Sequence, residues 1–253
     1  RAESLQEDGI FSIQNQYGET WESVPSQELG NYDYLMFNDI ETRNPAVRDE
    51  LKRWGEWYYQ TCGLDGFRLD AVKHISHEFI NEWIDHMKSV FQREFFIVAE
   101  NWIIDNVDEL QTYIQDTGGR VQLFDSILHH NLYEASRQGS SYPLNAIFEG
   151  TLTQVHPELA VTFVDNHDSQ PLQALESYVD FWFRPLAYAL IMLREQGIPC
   201  LFYPDLYGCN YQDEDQEVSL AALVELPELC RLRKEISYGE QRDYFDHPNC
   251  VGW

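Results

Sequence analysis

Long apolar runs are missing from this sequence. Nothing in it approaches the ~18 consecutive apolar residues of a membrane span, so no such span is expected. Basic residues are scarce: 17 Lys and Arg stand against 43 Asp and Glu, a net charge of −26 over 253 residues. A surface that acidic repels phosphate backbones and anionic lipid, which argues against nucleic acid and membrane surfaces as partners. It suits neutral ligands, or divalent cations at clustered carboxylates. Cysteine is sparse and irregular, at Cys62, Cys200, Cys209, Cys230 and Cys250 with no CxxC pair. That spacing argues against a structural zinc or a disulfide framework. Scattered, unpaired thiols of this kind are expected to be mostly buried, which points toward a reducing compartment but leaves the localisation open. There is no Gly-rich phosphate loop, no low-complexity segment and no internal repeat. An initiator Met and an apolar leader are also missing. The chain opens RAESLQEDGI and closes on VGW in mid-pattern. It therefore reads as a fragment, and the lack of a signal peptide says nothing about secretion.

What is present is enough for a large core: 43% of the residues are hydrophobic and 14% aromatic. The length suits one large domain or two small ones; a complete α/β barrel needs about 250 residues. The first 41 residues hold nine carboxylates against the single base Arg1. Their apolar periodicity is low, so loops and short strands are expected there. From residue 44 the pattern alternates. Asn44 caps and Pro45 opens a helix running to Cys62. GLDGFRLDAV reads as a strand, and SHEFINEWIDHMKSVFQ as a helix capped by Ser76. Then come strand EFFIVAE, a helix near 106–116, strand RVQLFDS, broken helices over 127–155 and strand AVTFVDN. A long helix near 178–196, strand IPCLFYP and a last helix near 217–235 follow. YFDHPNCVGW returns to β-like sequence, as if a small domain were starting. Strand then helix, repeated five times, predicts a parallel sheet with helical crossovers.

Three of these strands end in carboxylates: FRLD at Asp70, FIVAE at Glu100 and FVDNHD at Asp168. The intervals of 30 and 68 residues correspond to about one and two strand–helix units. Carboxylates at the same end of neighbouring parallel strands converge, and that C-terminal edge is where such sheets build active sites. The bland alternative is that each acid merely marks a strand entering a loop. Arg68 lies two residues before Asp70, so strand alternation points both the same way, and a guanidinium would keep that acid ionised, as a nucleophile requires. A structural ion pair is the competing reading. Glu100 follows the apolar run Phe95–Ala99 and precedes Trp102; desolvation there would raise its pKa and suit a general acid. His167, beside Asp168, can donate to a sugar hydroxyl. Converging carboxylates with a cation and aromatic walls suit cleavage of a glycosidic bond, or else a divalent-metal site for phosphate chemistry. The charge disfavours polyanionic substrates. HISHE at 74–78 is not the HExxH zinc pattern. His129 and His130, adjacent on a helix, read as surface or packing residues.

GFRLDAVKH (66–74), VAENW (98–102) and FVDNHD (163–168) closely resemble conserved segments of the α-amylase family of glycoside hydrolases. NYDYLMFNDIE (31–41) and FYPDLYG (202–208) resemble its liquefying bacterial type and fungal relatives. The likeness runs from about residue 30 to Trp253. It implies a (β/α)8 TIM barrel, incomplete here, with strands four to eight present. Residues 1–38 would end a calcium-binding excursion domain, 39–236 would be barrel, and 237–253 would start a C-terminal β domain. It further implies Asp70 as nucleophile, Glu100 as general acid/base and Asp168 as transition-state stabiliser. Arg68 would support Asp70, Trp102 and His167 would contact the sugar, and Lys73 and His74 would touch the leaving side. The implied reaction is retaining endo-hydrolysis of α-1,4-glucans such as starch, by a monomer. The resemblance also implies a structural Ca²⁺ held by Asp33, Asp39 and the His74 carbonyl, oxygen donors of the kind this ion takes. A solvated acidic loop is the alternative.

This sequence departs from the family pattern in places. The family's DxxxNH segment and first three strands are absent, while Asn101 and Glu41 stand where close relatives often have Tyr and Asp. A glucan transferase and a catalytically dead scaffold share the same outline; the three intact carboxylates argue against the scaffold. Five strands do not close a barrel of eight, so residues 1–253 alone are expected to expose sheet edges, aggregate and leave starch untouched.

Overall fold

A computed structural model describes Val24, Pro25 and residues 40–253. The chain divides into two compact units, Arg1–Trp102 with Thr112–Val121, and Ile103–Gln111 with Gln122–Trp253. Along the chain the elements are α1 (Pro45–Cys62), β1 (Gly66–Leu69), α2 (His77–Phe91), β2 (Phe96–Ala99), α3 (Val107–Asp116), β3 (Gln122–Phe124), α4 (Ser126–Gln138), α5 (Leu152–Val155), β4 (Ala160–Phe163), α6 (Arg184–Met192), β5 (Ile198–Cys200), α7 (Tyr203–Tyr207), β6 (Cys209–Asp213), β7 (Gln216–Leu220), α8 (Leu226–Glu235), β8 (Tyr244–His247) and β9 (Cys250–Gly252). Five parallel strands alternating with helices are thus observed as expected, two in the first unit and three in the second. No helix among the described residues is long and apolar enough to cross a membrane.

In the first unit, local chemistry starts and stops each helix. The Asn44 side chain accepts from Ala46 N at 3.0 Å, Pro45 takes the first helical position, and Gly63 ends α1 at φ 64°. Only a residue without Cβ adopts that left-handed turn without strain. Ser76 caps α2 through Phe79 N. The α2 residues Phe79, Ile80, Trp83, Ile84 and Met87 are buried, the spacing of one helical face. Trp83 Nε1 donates to the Leu51 carbonyl of α1 at 3.2 Å, and Gly55 makes room for the indole: a Cβ there would stand 2.7 Å from the ring. Strands β1 and β2 pair in parallel, Gly66 opposite Phe96 and Leu69 opposite Ala99.

The second unit pairs β3, β4 and β5 in parallel. Its core gathers Leu128, Leu132 and Ala135 from α4 with Ala187, Tyr188 and Ile191 from α6. Asp125, fully buried, caps α4 by accepting from Leu128 N at 3.0 Å, and it also takes Thr153 N at 2.7 Å and Thr153 Oγ1 at 2.6 Å. The β8–β9 hairpin is anchored by Arg194. This guanidinium binds Asp243 at 2.8 and 2.9 Å and lies 4.8 Å from the Phe148 ring and 4.9 Å from Phe245.

Two helices differ from expectation. The long helix near 178–196 is only Arg184–Met192. Val179 N is instead taken by the Asp165 carboxylate, and Pro185 sets the helix start. The helix near 217–235 begins at Leu226, because Cys209–Leu220 forms an antiparallel hairpin. Its turn carries Glu214 at φ 49°, and Tyr211 Oη anchors it by donating to the Pro171 carbonyl at 2.5 Å.

Candidate active site

The β1–β2 register places Asp70 and Glu100 each one residue beyond its strand, at the same edge. Three bonds lock this edge. Glu100 N donates to Leu69 O at 2.9 Å, Val72 N donates to Glu100 O at 3.0 Å, and Ala71 N donates to the Glu100 carboxylate at 2.8 Å. Ala71 sits at φ 46°, ψ 42°. A left-handed alanine is uncommon and carries a conformational cost. Here it swings the chain out of β1 and aims its N–H at Glu100.

Arg68 is ion-paired with Asp70, as the alternation predicted. The Asp70 side chain is 72% exposed, so a carboxylate oxygen is open to an incoming ligand. Beyond Ala71 a 3₁₀ turn, Val72–His74, carries Lys73 and His74. Lys73 Nζ donates to the Trp102 carbonyl at 3.3 Å, tying that turn to the segment after Glu100. The first unit thus brings together Arg68 with Asp70, Glu100 with Ala71, and Lys73 with Trp102. Asp33 and Asp39 lie outside the described residues. Among the described residues, no three His, Cys, Asp or Glu side chains gather as a metal site.

Asp168 and His167 belong to the second unit, in the loop after β4, with His167 Nε2 3.3 Å from the Asp168 carboxylate. Asn166 Oδ1 shapes this loop by accepting from Asp168 N at 2.9 Å and Ser169 N at 2.8 Å. Behind it lies a buried polar group that sequence reasoning passed over. Asp165, 2% exposed, accepts from Ser169 Oγ at 3.2 Å and lies 3.2 Å from Arg184 Nη2. Arg184 Nη1 reaches Asp205 at 2.6 Å, and Tyr188 Oη donates to the other Asp205 oxygen at 2.6 Å. Burial pushes both carboxyls above the usual carboxylate range, and Arg184 opposes that rise. A guanidinium at the head of the apolar run PLAYALIM was the available signal.

His129 takes the packing role, one of the two readings its sequence allowed. It is fully buried, its Nδ1 2.7 Å from Val164 O and its Nε2 2.9 Å from Ser177 Oγ, and it stacks on Phe163 at 4.9 Å. Burial lowers its pKa to about 4, with a smaller push from His130. It packs as a neutral ring joining the strand end to the 170s loop.

The sequence model of the α-amylase catalytic domain matches residues 11–226. Over 257 aligned residues the chain is 49% identical to the cytoplasmic α-amylase of Escherichia coli (strain K12), covering 99% of this chain and 52% of that protein. It is 47% identical over 237 residues to the glucan 1,4-α-maltohexaosidase of Bacillus sp. (strain 707), covering 94% of this chain and 45% of that one. The chain therefore spans about half the length of the curated relatives it matches. An Anoxybacillus α-amylase structure aligns with a TM-score of 0.61 at 24% identity, over 79% of this chain and 46% of its own, which is a likeness of fold. With its five strand–helix repeats and a match spanning residues 11–226, the chain belongs to the α-amylase catalytic-domain family and has that family's (β/α)8-barrel architecture in part.

Proposed function

We infer that this chain carries the catalytic carboxylates of an endo-acting, configuration-retaining α-1,4-glucan hydrolase. One observation carries the reading: Asp70 and Glu100 end two paired parallel strands in the same register, one exposed beside Arg68 and the other tethered by Ala71 N–H. In this scheme Glu100 donates its proton to the glycosidic oxygen as Asp70 attacks the anomeric carbon. The leaving sugar departs as an alcohol, and the other half remains as a glycosyl ester on Asp70. Glu100 then takes a proton from water, whose oxygen attacks the same carbon and frees Asp70. Two displacements restore the original configuration. Asp168 steadies the positive charge that develops at the ring, and His167 donates to a hydroxyl of that sugar. Arg68, ion-paired with Asp70, aims it. Lys73 and His74 contact the leaving side, and Trp102 offers an aromatic wall.

The structural ion in this reading is Ca²⁺, held by Asp33, Asp39 and the His74 carbonyl. Hard oxygen donors of this kind fit it, and its binding would stiffen the His74 turn that adjoins Asp70. We assign residues 1–38 to the end of an excursion domain, 39–236 to the barrel and 237–253 to the start of a β domain, in a protein that acts as a monomer on starch-type glucans.

Asp70→Asn tests the assignment. In the intact enzyme it should lower kcat by several orders of magnitude while oligosaccharide binding survives, and a 5-fluoroglycosyl inactivator should label Asp70. Label on Glu100, with Asp70→Asn still active, would reverse the roles. Products from maltooligosaccharides should all be shorter than the substrate; longer ones would indicate transfer to sugar instead of water.

A further inference from the structure

The second unit holds an ion triad with one cation and two carboxylates, Asp165–Arg184–Asp205, each buried. Burying such charges is costly, and apolar side chains of equal volume commonly hold a helix in place as well or better. What apolar packing cannot supply is direction. Every arm of this triad is directional. Arg184 Nε donates to Val179 O at 2.8 Å, while its two terminal nitrogens reach Asp165 and Asp205. Asp165 also accepts from Val179 N at 3.1 Å. The α6 helix, the segment before it and α7 are thereby fixed to a single carboxylate of the β4 loop.

That carboxylate lies three residues before Asp168, and a chain of hydrogen bonds joins the two. Ser169 Oγ donates to Asp165 at 3.2 Å and accepts from Asn166 N at 2.9 Å. Asn166 Oδ1 in turn accepts from Asp168 N at 2.9 Å. We propose that the Asp165–Arg184–Asp205 triad is a positioning element for Asp168, acting through Ser169 and Asn166 without touching substrate. The inference rests on the reading of Asp168 as a catalytic carboxylate. Its physical basis is that a displacement of about 1 Å at a reacting group can cost about a hundredfold in rate.

Ser169→Ala tests it, since this removes the hydroxyl that links the triad to the loop and leaves Arg184 paired with both carboxylates. In the full-length enzyme, with an activated aryl maltooligoside as substrate, kcat should fall about tenfold to a hundredfold while KM stays within about twofold. In an Asp168→Asn background the same change should have no further effect on kcat, because the group being positioned is already disabled. Ser136→Ala removes another buried hydroxyl of this unit, one that donates to Tyr133 O at 2.7 Å and accepts from Asp180 N at 3.0 Å. It should lower the melting temperature comparably and leave kcat alone. Amide exchange at residues 166–169 should quicken in Ser169→Ala while that of 160–163 is unchanged. A Ser169→Ala loss that multiplies in both backgrounds, an equal kcat loss from Ser136→Ala, or unaltered exchange in the loop would each overturn the inference. If the unaltered full-length enzyme does not cleave α-1,4-glucan, the proposed function fails, and the exchange measurement still decides whether the triad holds the loop.

Discussion

Gly66 faces Phe96 where β1 and β2 begin to pair. A Cβ added there would come closer than 3.0 Å to the Phe96 carbonyl oxygen and stand 3.1 Å from both its carbonyl carbon and its Cβ. Carbon atoms in good contact sit about 3.5–4.0 Å apart, so the strands would have to separate by about half an ångström or more. The obstacle is backbone, which cannot rotate away as a side chain can. Overpacking ordinarily costs about 1–3 kcal/mol, and Gly66→Ala belongs at the upper end, about 3 kcal/mol. For a chain of this size that is a fall of about 6–12 °C in Tm, readable by calorimetry or circular dichroism. Activity should fall as well, because the same register sets Leu69 against Ala99 and thereby Asp70 beside Glu100. Gly63 is the contrasting case, with φ 64° and open space around its Cβ direction. There the cost is conformational, so Gly63→Asn should be milder than Gly63→Ala, whereas Gly66→Asn should be at least as harmful as Gly66→Ala. A Gly66→Ala protein melting within about 2 °C of the parent would refute this account of the strand pair.

His129 has its folded pKa lowered to about 4 from an ordinary 6.5, so between those values the unfolded chain holds a proton that the native state does not. Stability should therefore rise with pH across that window, by up to about 3 kcal/mol, and level off above it. Urea unfolding at several pH values should show that slope, and His129→Gln should flatten it. Asn44→Ala should cost about 1 kcal/mol by exposing an orphan N–H of α1, with Asn44→Ser near neutral in thermal melts. Arg194→Met should cost about 1–2 kcal/mol, since its ring contacts are lost while the half-exposed Asp243 pair adds little. Limited proteolysis should then cut near 237–243 sooner than in the parent.

Much of the architecture was legible wherever a local signal coincides with the final geometry. Asn44, Pro45 and Ser76 announced their helices, and the apolar runs ending at Ala99 and Phe163 announced β2 and β4. Asp70 and Glu100 could be placed at one strand edge because parallel pairing converts distant positions into neighbours. Features settled by tertiary partners were not legible. Val179 has a passable helical neighbourhood in sequence, but its N–H is claimed by Asp165, fourteen residues earlier. The 209–220 hairpin hid within an acidic run whose alternation is short. Asp165, Arg184 and Asp205 look like unrelated polar residues until the fold buries them together. His129 could be read as either a surface or a packing residue, and only its burial settles it as a neutral packed ring.

The tether on Glu100 has a consequence for anyone mapping this site by mutation. Its donor is a main-chain amide, and position 71 is already alanine. An alanine scan would step over this contact, and most libraries of side-chain replacements would leave the amide in place. Only proline deletes an amide hydrogen, and proline also cannot adopt the φ of 46° found there. A map of sensitivity built from side chains would therefore report the backbone strain of φ 46° at position 71 and miss the amide. Backbone ester substitution at residue 71, which swaps N–H for oxygen and leaves the side chain intact, is the change that would reveal what the contact contributes.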